Sequence, residues 1–304
     1  MTAGAESTKN VSVRDGVRSA TKTATAGVPK DPYGKPGFPP LERGLERREL
    51  ILLGTGGSVG VPAIGCDTPT CRSDDPRDAR TRCGVLVPAP RGNFVIDTPP
   101  ELRLQLVRER VPMVHAGLFT HGHADHVTGL DDLRICSFRL EEPLPLHAEP
   151  PVQEQLRRMF AYAFSAPPPG AHNFAVPRFS LQTLEPGRPV DVLGQEVLPI
   201  RLNHGRLPIL GFRFGSFAYC TDVSEIPEES YAQLSGVKTL VIDALRDRPH
   251  TTHFSVEQAL AAAERVGAER TWFTHISCDL KHEEAEAKLP DHVRIAHDGL
   301  RLPF

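Results

Sequence analysis

The segment Thr120-His121-Gly122-His123-Ala124-Asp125-His126 places three histidines and an aspartate within six positions, and it constrains the fold more than any other stretch. In an extended loop His121 and His123, two apart, point to the same side and can chelate one ion. Asp125 and His126 follow where Val127-Thr128-Gly129-Leu130 opens a helix, so their donors turn toward a neighbouring position. The apolar pair Leu118-Phe119 implies that a buried strand delivers the cluster to a sheet edge. Imidazole and carboxylate together suit zinc, manganese or iron. A solvated histidine-rich turn would account for a lone His-x-His, but four ligand-type residues at a strand end favour metal.

Other function classes are disfavoured by composition. The 304 residues carry a formal net charge of -3, which argues against a dedicated nucleic-acid binder. No window approaches the roughly 18 consecutive apolar residues of a membrane span. The N-terminus MTAGAESTKNVSVRDG lacks the apolar run of a secretory signal. Without an export signal the six cysteines do not read as a disulfide framework, and a cytoplasmic protein is expected.

Residues 1–48 are rich in Thr, Ala, Gly, Pro and Lys without apolar periodicity, which predicts a disordered extension. A transit peptide is the rival reading, weakened by Glu6, Asp15 and Asp31. A single domain is expected over 49–304. It opens with a strand at Leu50-Ile51-Leu52-Leu53, which runs into the loop Gly54-Thr55-Gly56-Gly57-Ser58-Val59-Gly60. Val59 stands where a dinucleotide loop needs its third glycine, and no Gly-Lys-Ser/Thr ending is present. A glycine turn beside a ligand site is the better reading. Further strands are expected at 84–87, 93–96, 116–120, 197–203, 209–214, 217–221, 239–243 and 270–274. Thr98-Pro99-Pro100-Glu101 reads as a capping box for a helix burying Leu102, Leu106 and Val107. A second helix is expected over 152–163, burying Val152, Leu156, Met159, Phe160 and Ala163, and a third over 255–266 with Ser255 as cap and Gln258 three on. Strand-rich halves with amphipathic helices between them suggest two packed sheets flanked by helices.

The segment His121 to His126 resembles the His-x-His-x-Asp-His signature of the metallo-β-lactamase superfamily residue for residue, and the resemblance spans residues 50 to 302. It implies an α+β fold, a four-layer αββα sandwich. It also implies three further ligands at strand ends: His204 in Leu202-Asn203-His204-Gly205, Asp222 in Tyr219-Cys220-Thr221-Asp222, and His275 in Phe273-Thr274-His275. Alone, each could be a satisfied buried polar residue. In the family's order, one ion takes His121, His123 and His204, the other takes Asp125, His126 and His275, and Asp222 bridges them. The physical logic agrees, because two cations about 3.5–4 Å apart need a shared anionic ligand. Asp97 resembles a family aspartate that orients the metal loop from behind the ligands.

The blocks LGTGGSVGVP, IGCDTPTC, HGHADHVTGLDDLR, LNHG, YCTD, THFS and FTHIS resemble the phosphoribosyl cyclic phosphodiesterases of phosphonate breakdown. That branch is similar in strand order to tRNase Z, but no glycine-rich arm for tRNA is visible. The resemblance implies a dinuclear hydrolase of cyclic phosphates or related phosphodiesters, with two divalent ions, zinc or manganese, and a hydroxide held between them. Asp125 and His253 are the expected catalytic residues, His253 protonating the leaving oxygen; a helix-cap histidine is the bland alternative. Asp279 and His282 stand behind the ligands at most, and His115, His147, His172, His250, His292 and His297 default to structural or surface roles. The expected partner is a small-molecule phosphodiester, not a membrane or a long nucleic acid, with a homodimer left open. Rival readings on the same ligands are a thioester or lactone hydrolase, a cofactor-biosynthesis oxidoreductase, since relatives of the branch include a pyrroloquinoline-quinone biosynthesis protein, and a non-catalytic binding module. Specificity is expected in the proline-rich segments Glu141 to Pro151 and Ala166 to Pro177.

In the same branch the loop Ile64 to Cys71 resembles a structural zinc knuckle of three cysteines and a histidine. Here Thr68 holds the middle cysteine position and Cys278 the histidine position. Cys66, Cys71 and Cys278 are therefore expected to meet in space without a tightly held structural zinc, which usually takes four protein ligands. They should be reduced and buried, with Thr68 hydrogen-bonding the loop backbone and Cys83 packing as a small hydrophobe.

Overall fold

The computed structural model describes residues 49–166 and 176–304, with Met1 and Gly170. Apart from Met1, the extension expected to be disordered lies outside the described residues, as do His172 and most of the Ala166–Pro177 segment.

The apolar run Leu50 to Leu53 is fully buried and forms β1 (Glu49–Gly54), the strand expected there. The hairpin β2 (Gly84–Ala89) and β3 (Gly92–Ile96) comes next, then α1 (Leu102–Arg108) and β4 (Ala116–Leu118). Two short helices, α2 (Ala124–Val127) and α3 (Arg134–Arg139), lead to β5 (Leu144–Ala148), α4 (Pro150–Met159) and β6 (Phe179–Thr183). The second half is a run of antiparallel strands, β7 (Val190–Val192), β8 (Gln195–His204), β9 (Leu207–Phe214) and β10 (Phe217–Cys220). It continues with α5 (Glu228–Leu234), β11 (Thr239–Asp243), α6 (Val256–Val266) and β12 (Arg270–Thr274). Last come α7 (His282–Glu286), β13 (Val293–Ile295) and β14 (Leu300–Pro303).

The strands make two seven-stranded sheets, ordered β14-β1-β2-β3-β4-β5-β6 and β13-β12-β11-β10-β9-β8-β7. Strand alternation sorts their apolar side chains into three layers of core. Leu50, Leu52, Val85, Val87, Phe94 and Ile96 face Phe212, Phe214, Phe217, Tyr219 and Val241 between the sheets. On the other side of the same strands, Ile51, Leu53, Leu86 and Val95 meet Leu102, Leu130, Leu133 and Leu156 from the helices. Beneath the second sheet, Ala218, Leu240, Ile242 and Phe273 pack on Leu234, Ala259, Ala262 and Ala263. This is the expected four-layer αββα sandwich. No helix among the described residues is long and apolar enough to cross a membrane.

Local signals succeed where they are complete. Ser255 Oγ accepts from Gln258 N at 3.3 Å and Gln258 Oε1 from Ser255 N at 2.9 Å, so the predicted capping box starts α6. Gly267, at φ +73°, ends it. The capping box at Thr98 does not form. Helix α1 begins at Leu102, so its buried face rotates to Leu102 and Gln105 and leaves Val107 at 65% exposure. Thr98 instead clasps the metal loop: its N donates to His126 O at 2.7 Å and its Oγ1 to Val127 O at 3.2 Å. Helix α4 starts earlier than expected, at Pro150, and stops at Met159. A separate tight turn then buries Ala163, and Met159 lies 41% exposed rather than in the core.

One carboxylate ties the last strand to the first glycine turn. Asp298 Oδ1 accepts from Thr55 N and Thr55 Oγ1, both at 2.9 Å, and Oδ2 from Thr81 N at 2.9 Å and Thr81 Oγ1 at 2.5 Å. Asp298→Ala strands the buried donors of Thr55 and the half-buried ones of Thr81. The expected loss is about 3 kcal/mol of unfolding free energy, read by urea denaturation; a change below about 1 kcal/mol would contradict the clasp.

Candidate metal centre

Every candidate ligand stands where a strand ends. β4 carries the chain through Phe119-Thr120 to His121, and α2 starts just after His123, which puts Asp125 and His126 on its first turn. His204 closes β8, Asp222 follows β10 by two residues, and His275 follows β12 by one. The parallel strands β10, β11 and β12 point their carboxyl ends at the same crevice. Asp97, Asp222 and His275 all adopt left-handed backbone conformations, with φ of 62°, 57° and 59°. For residues with side chains this costs roughly 1–3 kcal/mol each and persists only where surrounding bonds enforce it.

Asp97 supplies much of that enforcement. Its carboxylate is fully buried and accepts from Thr120 N at 2.9 Å and Thr120 Oγ1 at 2.8 Å. The same carboxylate takes the Nδ1 proton of His126 at 2.8 Å. Thr120 Oγ1 in turn lies 2.9 Å from His121 Nδ1. These partners leave Nε2 of both His121 and His126 aimed into the crevice. Asp97 therefore sits behind His121 and His126. His204 is oriented likewise, its Nδ1 donating to Thr252 O at 2.6 Å.

The expected ligands gather into two adjoining groups. One holds His121, His123 and His204; the other holds Asp125, His126, Asp222 and His275, with donor atoms in each group within 4.8 Å of one another. His121 Nε2 and His123 Nδ1 are 3.0 Å apart, close enough to reach one ion at the usual Zn–N length of roughly 2.0–2.1 Å. Asp222 Oδ1 lies 3.2 Å from His126 Nε2 and Oδ2 lies 3.1 Å from His275 Nε2. Asp222 is also within reach of His204 and His253, so it touches both groups.

A cation fits this donor set. His126 Nε2 and both ring nitrogens of His275 are buried without a hydrogen-bond partner among the described residues. Burial pushes Asp222 up, but His126 and His275 outweigh it and hold the carboxyl well below the usual carboxylate range. Burial opposes charge on His126 and His275 too, yet Asp222 overrides it, lifting His126 well above its ordinary value and His275 to about 9. Asp222 thus favours positive charge at this point in the crevice. A divalent ion would supply it and leave the nitrogens as donors. His121, held well below its ordinary value by burial and then by His126, is already neutral.

His253 lies in the same crevice, buried, with its ring stacked on His275 at 4.5 Å and 16°. Its Nδ1 is 2.7 Å from Asp243 Oδ2, which leaves Nε2 toward His204 and Asp222. The backbone of His253 makes no helix cap; Ser255 does that. Asp243, fully buried at the end of β11, is the partner of His253 that sequence reasoning missed. Its signal was a lone acid closing the apolar run Thr239-Leu240-Val241-Ile242. Asp279 pairs with Arg248 outside the cluster, and His282 packs against Arg80 Nη2 at 3.1 Å.

A family model described as a beta-lactamase superfamily domain matches residues 92–276. The crystal structure of a diphosphatase from the PhnP family is 40% identical and superposes with a TM-score of 0.78, covering 84% of this chain and 97% of that one. The zinc-bound PqqB structure from Methylobacterium extorquens shares the fold at 20% identity, with a TM-score of 0.69 over 84% of this chain and 100% of that one. An octanoyltransferase of Porphyromonas gingivalis is 37% identical over 254 residues, 82% of this chain and 50% of the relative. This chain thus spans about half the length of that relative.

Metal uptake should follow pH with a defined sign. Ion binding must displace the protons that Asp222 holds on His126 and His275, so apparent affinity rises with pH until His275 loses its proton near 9. Between pH 6 and 8 zinc affinity should climb up to about tenfold per unit for each proton released. Calorimetric titration in buffers of different ionisation enthalpy counts those protons; pH-independent affinity with no proton release would remove His126 and His275 from the ligand set. Asp97→Ala should weaken the affinity by about 10–100-fold.

Proposed function

This chain belongs to the metallo-β-lactamase superfamily, in its PhnP branch, and from that premise we propose that it is a dinuclear metal-dependent hydrolase of phosphodiesters, including cyclic phosphates. The observation that carries the reading is Asp222, a buried carboxylate with one oxygen beside His126, the other beside His275, and His204 within reach. A shared anion of this kind is what two closely spaced cations require. Divalent ions held there, zinc or manganese by the chemistry of the donors, would supply an activated water and positive charge for the phosphoryl oxygens.

The protein's own residues do the positioning and the proton transfer. His121, His123 and His204 form one wall, and Asp125, His126 and His275 the other. Asp125, held to about 2 by His126 against the effect of burial, stays ionised and adds negative charge that keeps cations in place. His253 faces the crevice with Nε2 free and Nδ1 braced by Asp243. Burial and then His275 lower its pKa to about 4. A phosphate anion against the ring works in the opposite sense and favours the protonated form. Asp243, at 2.7 Å from Nδ1, fixes the orientation of the ring, so His253 can hand its Nε2 proton to the departing alkoxide.

The diphosphatase name of a 40% identical structure supports phosphorus as the centre attacked. The octanoyltransferase name belongs to a relative twice as long, so an acyl substrate ranks second.

The test is a panel of cyclic phosphates, linear diesters, diphosphates and thioesters with zinc- and manganese-loaded protein. Phosphorus substrates should exceed thioesters by at least about 100-fold in kcat/KM; the reverse order would overturn the reading. His253→Ala should lower kcat by roughly 100–10,000-fold for alkoxide leaving groups, with a smaller loss for nitrophenolate, which needs no proton. An equal loss for both would take His253 out of the acid role.

A further inference from the structure

The loop between β1 and β2 carries Cys66 and Cys71, and Cys278 lies three residues past His275. The fold brings Cys66 Sγ to 3.7 Å from Cys278 Sγ across 212 positions of sequence. Cys71 completes a group whose sulfurs all lie within 4.8 Å of one another. All three are free and half-buried rather than buried as expected, so they are open to reagents. Thr68 occupies the remaining side: its Oγ1 is 3.3 Å from Cys66 Sγ and accepts from Cys71 N at 3.3 Å. A hydroxyl engaged in this way completes no four-ligand set of nitrogen and sulfur.

We infer that Cys66 and Cys278 are a thiol pair that closes reversibly into a disulfide, cross-linking the β1–β2 loop to the segment that follows His275. Hydrogen bonds from Cys71 and Thr68 hold the Cys66 thiol down to about 7, so much of it is thiolate near neutrality. Cys278 is pushed up to about 11, first by burial and then by Cys66. The order of steps follows. The Cys66 thiolate attacks one sulfur of a small-molecule disulfide such as glutathione disulfide, forming a mixed disulfide and releasing one thiolate. That attack removes the negative charge at Cys66 that opposes ionisation of Cys278. Cys278 then gives its proton to solvent and attacks Cys66 Sγ, and the second small thiolate leaves. Two protein thiols are oxidised and one small disulfide is reduced to two thiols.

Bond formation needs the sulfurs to close from 3.7 Å to about 2.05 Å, a movement the exposed loop can absorb. A bridge from Cys66 to Cys71 would tie only two points of one loop. The bridge to Cys278 reinforces contacts that already brace His275: Gly57 N donates to Ile276 O at 3.1 Å and Ile276 N to Thr55 O at 2.9 Å. It does so without using a proposed metal ligand, so it stands apart from the phosphodiesterase reading.

The full chain, purified with its metals, is equilibrated in glutathione buffers of rising oxidation, alkylated and peptide-mapped without reduction. A Cys66–Cys278 linked peptide is expected, with a melting temperature higher by roughly 5 °C or more. Dithiothreitol should reverse both. Cys71→Ser should keep both and Cys278→Ser lose both, with the metal content unchanged in each. A dominant Cys66–Cys71 bridge, no bridge at any glutathione ratio, or a further equivalent of zinc that shields the three thiols would each overturn the inference.

Discussion

A carboxylate buried at the seam of two sheets has to be neutralised, and the arrangement of this molecule follows from how Asp222 achieves that. His126 is delivered from the first sheet and His275 from the second, one to each oxygen of Asp222. Charge balance therefore couples the halves of the sandwich where the apolar layer between the sheets ends. Neither half holds the complete donor set. The first contributes His121, His123, Asp125 and His126, and the second His204, Asp222 and His275. An uncompensated buried charge is among the most destabilising defects in a protein, so docking of the sheets and assembly of the centre are one event energetically.

The backbone around the centre shows what that assembly costs. Among the described residues, three of the five non-glycine positions with positive φ are Asp97, Asp222 and His275. Each sits at a turn directly after a strand, where the chain must reverse while its side chain still points at the seam. Hydrogen bonds convert this strain into fixed geometry. Asp97 N is held by Leu118 O at 2.8 Å, and its carboxylate holds Thr120 and His126 in turn. Asp222 Oδ1 accepts from Thr221 Oγ1 at 2.7 Å. Donors fixed in this way need no reorganisation when an ion or substrate arrives.

How far all this was legible in the sequence depended on distance along the chain. The His121–His126 cluster is local and dense, so its chemistry could be read before any fold was known. β8 to β12 announced themselves by apolar runs, and α6 by a complete capping box. β14 gave no such signal, because its role is fixed by pairing with β1 across nearly the whole chain, Leu302 opposite Leu50. β5 and β6 form the partly polar edge of the first sheet, with His147 opposite Gln182. Asp243 was invisible for a related reason: a single acid acquires meaning only when His253, ten positions on, is folded back against it. Thr98 misled because Pro-Pro-Glu after a threonine is compatible with a cap. Tertiary hydrogen bonds to His126 and Val127 claimed the residue instead.

The glycine loop after β1 shows how a familiar pattern can answer to an unfamiliar constraint. A nucleotide loop uses glycines to bring backbone amides onto phosphate. Here they bring backbone onto backbone behind the candidate metal centre. A Cβ on Gly54 would lie 2.0 Å from Arg82 O, and one on Gly56 would lie 2.9 Å from Arg80 O. At Gly57 the neighbours would be Leu245 Cδ1 at 3.3 Å and His275 Cε1 at 3.4 Å. That glycine sets how close the loop comes to the imidazole. Gly129 repeats the device on the opposite side, where a Cβ would meet Pro99 O at 2.1 Å just beyond the clasp of Thr98. Small residues on both flanks let the loops close around the ligand turns, and Asp222, His126 and His275 are buried there. Out of water, the attraction between buried Asp222 and its two imidazoles is strengthened and helps hold the left-handed turns at Asp222 and His275.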